Sequence, residues 1–308
     1  MSNTARVINS AFFSVAAKLL GKSLGLISTI LIARILTPED FGLIAIVSMA
    51  LYLFDILSHA AGDQYIVQKS KISFYDLHTA WSLNLLLKIL VACGFVLCAN
   101  FIAAFFEHPE LSSAIMFSAV ILPLQACKSP KLLLFKRQLR FKPLFWLSFI
   151  ERLFAVPVLI GLAVILGDYW AFLITDVLVA SLGLVLSFVV APTKLHFTFK
   201  RIRQQWAFSQ WMMGKQLLGY ARSQIDTLVV AKSCNSMLLG NYHMPRDLAM
   251  MPAHYLLSPA IEPLLAVLKN DRNDKPALLN NVAFSLLVVV SISAPILAIF
   301  TLFSQYIV

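Results

Sequence analysis

The sequence predicts an all-α, polytopic bundle of about nine transmembrane helices, on three observations. Of 308 residues, 59% are hydrophobic and 13% charged, at a mean hydropathy of +0.81. Soluble domains run at about 45–50% apolar and about 25% charged. The apolar residues gather in stretches of roughly 20, the length that crosses a hydrocarbon core. Finally, the basic residues fall between these stretches and, taken alternately, collect on one side. With the N-terminus in the cytoplasm, that side carries sixteen Lys and Arg, including Lys69, Lys71, six from Lys128 to Lys142 and four from Lys194 to Arg203. The opposite side carries two, Arg34 and Lys232. Cytoplasmic loops concentrate Lys and Arg, so the N-inside orientation and the span count support each other. The net charge of +10 then reports orientation, and no nucleic-acid partner is expected.

The expected spans, in order, are 10–34, 41–64, 77–105, 112–130, 145–166, 170–191, 208–231, 238–268 and 277–304. The first is too long and too interrupted by lysine for a cleavable signal. Its GKS, Gly21 to Ser23, lacks the upstream glycine and the strand–loop–helix setting of a phosphate loop. PEDFG, Pro38 to Gly42, reads as a tight hairpin into the second span. Pro and Gly form the turn, and Glu39 and Asp40 suit a helix N-terminus. Lys194–Trp206, KLHFTFKRIRQQW, alternates cationic and bulky apolar groups. It suits an amphipathic strip on the membrane surface or an ordinary basic loop. The eighth span holds Pro245, Pro252, Pro259 and Pro263 and should be kinked. Four cysteines and six histidines show no metal or redox spacing, so neither metal nor cofactor is expected.

An internal repeat emerges at an offset of 198 residues. LLGKSLGLISTILIARILTPEDFGL (Leu19–Leu43) lies without a gap over LLGYARSQIDTLVVAKSCNSMLLGN (Leu217–Asn241), and Arg34 falls on Lys232. An even number of spans separates the copies, so the repeats are parallel about an axis normal to the membrane, with a site between them. The expected organisation is a six-helix lobe, 1–191, a basic linker, 192–207, and half of a second lobe, 208–308. The stop after the ninth span reads as truncation.

Seven basic and six acidic residues lie inside spans. Each costs about 2.5–3.5 kcal/mol at a bilayer centre by insertion scales, so they must face one another, water or a polar ligand. Lys18 and Lys22 are four apart and share a face with Ser14, Gly21 and Gly25, the pattern of a wet cavity wall. Snorkelling to the interface suits Lys18 better than Lys22. Asn84 and Lys88 repeat that spacing, as cavity wall or as a buried pair with Asp55 or Asp176. Arg222 and Asp226 are again four apart, with Lys215 on their face, and an intrahelical ion pair is the alternative.

ARILTPEDFGLIAI (Ala33–Ile46), DILSHAAGDQYIVQ (Asp55–Gln68), LLFKRQLRFKPLFWLSFIE (Leu133–Glu151) and LLGNYHMPRDLAMMP (Leu238–Pro252) come in one order. Together they resemble the Wzx-type polysaccharide exporters of the multidrug/oligosaccharidyl-lipid/polysaccharide exporter superfamily, with a feel of the colanic-acid and O-antigen exporters. Two features depart from that family: members usually have twelve or fourteen helices, and Arg246–Asp247 stand where small residues are common. The resemblance implies a flippase in the bacterial inner membrane rather than an enzyme. It would carry lipid-linked oligosaccharide across by rocking about a cationic cavity, in contact with membrane lipid and other polysaccharide-assembly proteins. Lys18, Lys22, Lys88, Lys215 and Arg222 would meet the anionic headgroup; Asp55, Asp176 and Asp226 would balance charge or carry a coupling ion. A cation-coupled drug antiporter and an inactive fragment stay open as alternatives.

Overall fold

A bilayer offers no partner for a free N–H or C=O, so each crossing must satisfy its own backbone. In the computed structural model the described residues are 21, 24–25, 28, 30–58, 65–66, 69, 72–138, 140–235, 237–243, 246, 283, 287, 290–291 and 294. Among them the regular structure is helical. They divide into two compact units, Met1–Gly240 and Asn241–Val308. The described residues of the second unit are isolated helical positions, and the kinked eighth span lies largely outside the described residues.

In the first unit, α1 is Pro38–Ser58, α2 Phe74–Phe105, α3 Leu111–Ser118, α4 Ile121–Ala126, α5 Lys131–Arg137, α6 Phe141–Leu166, α7 Trp170–Val190 and α8 Ile202–Ser233. Four of these, α1, α2, α6 and α7, are long and apolar enough to cross a membrane. The fourth expected span is not continuous. It breaks after α3, again at Ser129–Pro130, and α5 turns away by 66°. Pro123 has no N–H for residue 119, and its ring crowds that carbonyl, which puts the break at Ala119–Val120. At its far end α6 stops at Gly167, whose φ of 69° is the left-handed cap that glycine adopts freely.

The interior is built as membrane interiors are. The largest buried cluster sets Phe95 among Ala45, Ala50, Ala99, Ala103, Ala114, Ala119 and Ala231. Small residues let helix backbones approach where lipid offers no hydrophobic drive for association. Bulky apolar side chains point outward instead, Leu97 being 82% exposed and Ile165 77%.

Loop contacts sort the molecule into two ends. At one, Arg137 donates to the carbonyls of Ile66 (2.8 Å) and Lys69. There too, Ser129 bonds Ala191 O (2.6 Å) and Gln205 bonds Asp76 O (2.7 Å). At the other, the Tyr169 N–H donates to Asp40 Oδ1 (3.2 Å) and Lys232 to Phe105 O (2.8 Å). The first is the end rich in Lys and Arg, as the alternation expects. PEDFG thus does more than turn: Asp40 Oδ2 also accepts from Thr37 N and Oγ1 (3.0 and 2.6 Å), joining the start of α1 to the α6–α7 hairpin.

The 198-residue offset carries over to three-dimensional detail. Thr37 Oγ1 accepts from Asp40 N (3.2 Å), capping α1. Asn235, its counterpart, accepts from Leu238 N (2.9 Å), the counterpart of Asp40. Gly42 and Gly240, again counterparts, meet: a Cβ on Gly240 would stand 1.9 Å from Pro38 O and 3.1 Å from Gly42 N.

Candidate functional site

Lys88 lies midway along α2, one turn beyond Asn84. Its side chain is only 6% exposed, and its ammonium meets Asp55 Oδ1 on α1 at 2.6 Å and Gln125 Oε1 on α4 at 3.2 Å. Sequence reading left cavity wall and buried pair open for Lys88, and the structure places it in both roles. The Pro123 break lets Gln125 face α2 from a short, separate helical turn. A buried lysine that loses its partner destabilises a protein by about 3–5 kcal/mol.

Beside this network is a cavity of about 280 Å³, walled by Trp81, Asn84, Lys88, Gln125, Lys128 and Lys136 among others, with no carboxylate among the described lining residues. Trp81 is 5% exposed, and its Nε1–H has no acceptor among the described residues. An unmet buried donor costs about 1–3 kcal/mol. Lys128 pairs with Glu151 of α6 at 2.8 Å. That pair passes directly over Gly183 of α7: a Cβ there would lie 2.0 Å from Glu151 Oε1 and 2.6 Å from Lys128 Nζ. Glu151 thus ties α6 to the turn between α4 and α5.

Within the basic segment Lys194–Trp206, residues 194–199 are non-helical and lie against the start of α2. There the Thr198 N–H donates to Ser82 Oγ (3.1 Å), His196 stacks on His78 (5.4 Å between centroids), Phe197 packs on Trp81 (5.0 Å), and Lys200 sits over Tyr75. Backbone and aromatic contacts on α2 outcompete surface partitioning, and α8 takes over at Ile202. Nearby, the Asp76 hydrogen bond holds the Lys69 ammonium above the ordinary lysine range.

Lys18 and Lys22 lie outside the described residues. Lys215 and Arg222 are exposed on α8 and do not line this cavity. Asp226 is half-buried on α8. Asp176 is exposed on α7 and interacts electrostatically with Arg152. The Arg152 side chain also passes 3.8 Å from a Cβ placed on Gly21. Sequence reading missed Trp81, Gln125 and the Lys128–Glu151–Gly183 contact. An uncharged amide and a glycine inside apolar spans were the available signals, but a search for ionised groups passes over both.

Residues 31–308 match the model of a family described as polysaccharide biosynthesis protein. Among curated proteins, the chain is 25% identical over 298 residues to an uncharacterized membrane protein in the cps region of Klebsiella pneumoniae, covering 94% of this chain and 61% of that protein. It is 25% identical over 262 residues to the lipopolysaccharide biosynthesis protein WzxC of Escherichia coli K12, covering 82% and 52%. It is 24% identical over 260 residues to the succinoglycan biosynthesis transport protein ExoT of Rhizobium meliloti, covering 83% and 52%. The chain thus spans between half and two thirds of the length of these relatives. Apolar crossing helices, two sorted loop ends and a match over most of its length place this multi-pass membrane chain in the polysaccharide biosynthesis protein family.

Proposed function

We propose that the chain forms the first lobe, and part of the second, of a flippase for polyprenyl-pyrophosphate-linked oligosaccharide. The basic end faces the cytoplasm of a bacterial inner membrane, and so does the N-terminus. Residues 1–191 make the first lobe, 192–207 the connection and 208–308 the start of the second. One observation carries this reading: Lys88, held by Asp55 and Gln125 inside a crossing helix, at the wall of a cavity. Such a group is expensive in a membrane and is kept where something polar must pass. A lipid-linked oligosaccharide poses that problem, since its diphosphate and sugars must cross while its tail stays in lipid.

Lys18, Lys22, Lys88, Lys215 and Arg222 are the headgroup contacts in this reading. Asp55 orients Lys88, and Asp176 and Asp226 balance charge. The partners are the lipid-linked oligosaccharide, membrane lipid and other polysaccharide-assembly proteins; the chain is a carrier, not an enzyme. A cationic-drug antiporter fits less well, because the cavity wall offers lysines and amides but no carboxylate among its described residues. The test is complementation of an exporter-deletion strain by a full-length copy. Lys22→Ala and Lys88→Ala are expected to leave insertion intact while abolishing surface polysaccharide; normal polysaccharide in both overturns the reading.

A further inference from the structure

We infer that the segment joining α7 to α8 is a proton-sensitive strap, docked on the start of α2 through the stacked rings of His78 and His196 and released when both rings are charged. The docking is independent of what the protein carries; only its effect on transport rests on the flippase reading.

Three kinds of contact hold the strap down. The Thr198 N–H donates to Ser82 Oγ, and Phe197 packs on Trp81. Lys200 lies over the Tyr75 ring, 4.3 Å from its centroid. The third contact is a cluster of three rings. His78 and His196 stack with 16° between their planes, and Phe74 lies 4.0 Å from His78 and 5.3 Å from His196, centroid to centroid. His78 is 2% exposed, and neither of its ring nitrogens has a hydrogen-bond partner among the described residues. The ring therefore serves as an aromatic face, a role that suits neutral imidazole. His196 covers it and is itself exposed.

Imidazole is the side chain whose charge changes between about pH 5 and 8. A proton on His196 places a cation at the surface of the stack. A second proton, on His78, sets like charges across it, one of them buried without an acceptor among the described residues, which is costly. The neighbouring charges do not compensate. On α2, Asp76 is already bound by Lys69, 2.7 Å away in the segment before the helix. The strap adds Lys194, Lys200 and Arg201, and Arg201 also acts on Asp76. The first turn of α8 adds Arg203, but α8 reaches the start of α2 through the uncharged Gln205. Tyr65, Ile72 and, from α5, Leu133 and Leu134 pack against Leu77 and Ala80 beside the stack. Asp76 is the one carboxylate in this set. Protonation thus adds charge to a basic neighbourhood, and lifting the strap into water relieves it. The sign follows: the strap is docked at neutral pH and released in acid. A released strap lengthens the tether between α7 and α8, so in the flippase reading acid at the basic end loosens the tie between the lobes.

Amide hydrogen exchange tests this on the full-length protein in phosphatidylcholine nanodiscs, at about pH 7.5 and about pH 5.5, on either side of the ordinary imidazole range. Mass spectrometry reads each peptide, and each rate is compared with the intrinsic rate at that pH. The strap amides, Thr198 included, should lose about tenfold or more of their protection at the lower pH, the scale of one like-charge contact. The amides of α7 should keep theirs. His196→Phe, at an exposed position, keeps a ring on His78 but takes no proton, and its strap should stay protected at both pH values. Equal protection of the wild-type strap at both pH values overturns the proposal, as does a loss of wild-type size in His196→Phe. Docking is read here without transport. Normal export by Lys88→Ala would therefore sink the flippase reading and leave the strap standing.

Discussion

The two ends of the first unit are built on opposite principles. The basic end is held by side chains across a gap: Lys88 with Asp55 and Gln125, Lys128 with Glu151, Arg137 on the carbonyls of Ile66 and Lys69, all around a cavity. At the other end the side-chain bonds of Asp40 and Lys232 flank a close backbone contact, with Gly240 so near Pro38 and Gly42 that no side chain fits between them. Long polar side chains can exchange partners, whereas a glycine seam either closes or parts. In the flippase proposed above, that difference would suit a carrier open towards the basic end and shut where Gly240 meets Pro38.

Four substitutions break or sharpen this contrast, in falling order of effect. Asp55→Ala strands a buried ammonium and should destabilise the protein by about 3–5 kcal/mol. Thermal unfolding in detergent reads this, and Asp55→Ala/Lys88→Met should recover most of it. Gly240→Val puts side-chain atoms onto Pro38 O and should cost about 1–3 kcal/mol by overpacking. In a background without native cysteines, Gly42→Cys/Gly240→Cys should cross-link readily and block export until reduced. Export by the cross-linked protein would mean that the seam does not open. Gly183→Ala drives a methyl into the Lys128–Glu151 pair and should also cost about 1–3 kcal/mol. Gly161→Ala, on the neighbouring helix with nothing within 4 Å of its new Cβ, should be neutral or stabilising by about 0.5–1 kcal/mol. Equal effects of the last two would mean that the ion pair does not lie over Gly183.

What the sequence made legible follows from the range of each signal. Hydropathy and loop charge are local or additive, so the crossing helices α1, α2, α6 and α7 and the sorting of loops into two ends were readable. The repeat was readable as seven identities in twenty-five positions, and its structural counterpart is the shared cap at Thr37 and Asn235. Lys88 announced itself as an ion in an apolar run, but choosing Asp55 over Asp176 needed the packing of α1 on α2. The break at Ala119 was within reach, since Pro123 stands four residues on. A run counted for apolarity does not register a proline's missing N–H. Nor did α8 reveal its full extent: it spans 32 residues, but it carries Lys215, Arg222 and Asp226 and is not among the helices apolar enough to cross, although a seventh span was expected at 208–231. Its place comes from tertiary contacts, Tyr220 Oη on Met49 O (3.0 Å) and Gln205 on Asp76 O, that no local pattern encodes.

The central claim is that a buried cation at the cavity wall helps a lipid-borne anionic headgroup across the bilayer. Its most direct test is reconstitution of the full-length protein into liposomes with a polyprenyl-diphosphate glycan loaded in one leaflet. Glycan exposure in the other leaflet is then followed with an impermeant lectin. Wild-type protein should expose glycan well above protein-free liposomes, and Lys88→Ala, folded and inserted, should fall back to the protein-free rate. Equal exposure by Lys88→Ala and wild type would contradict the account.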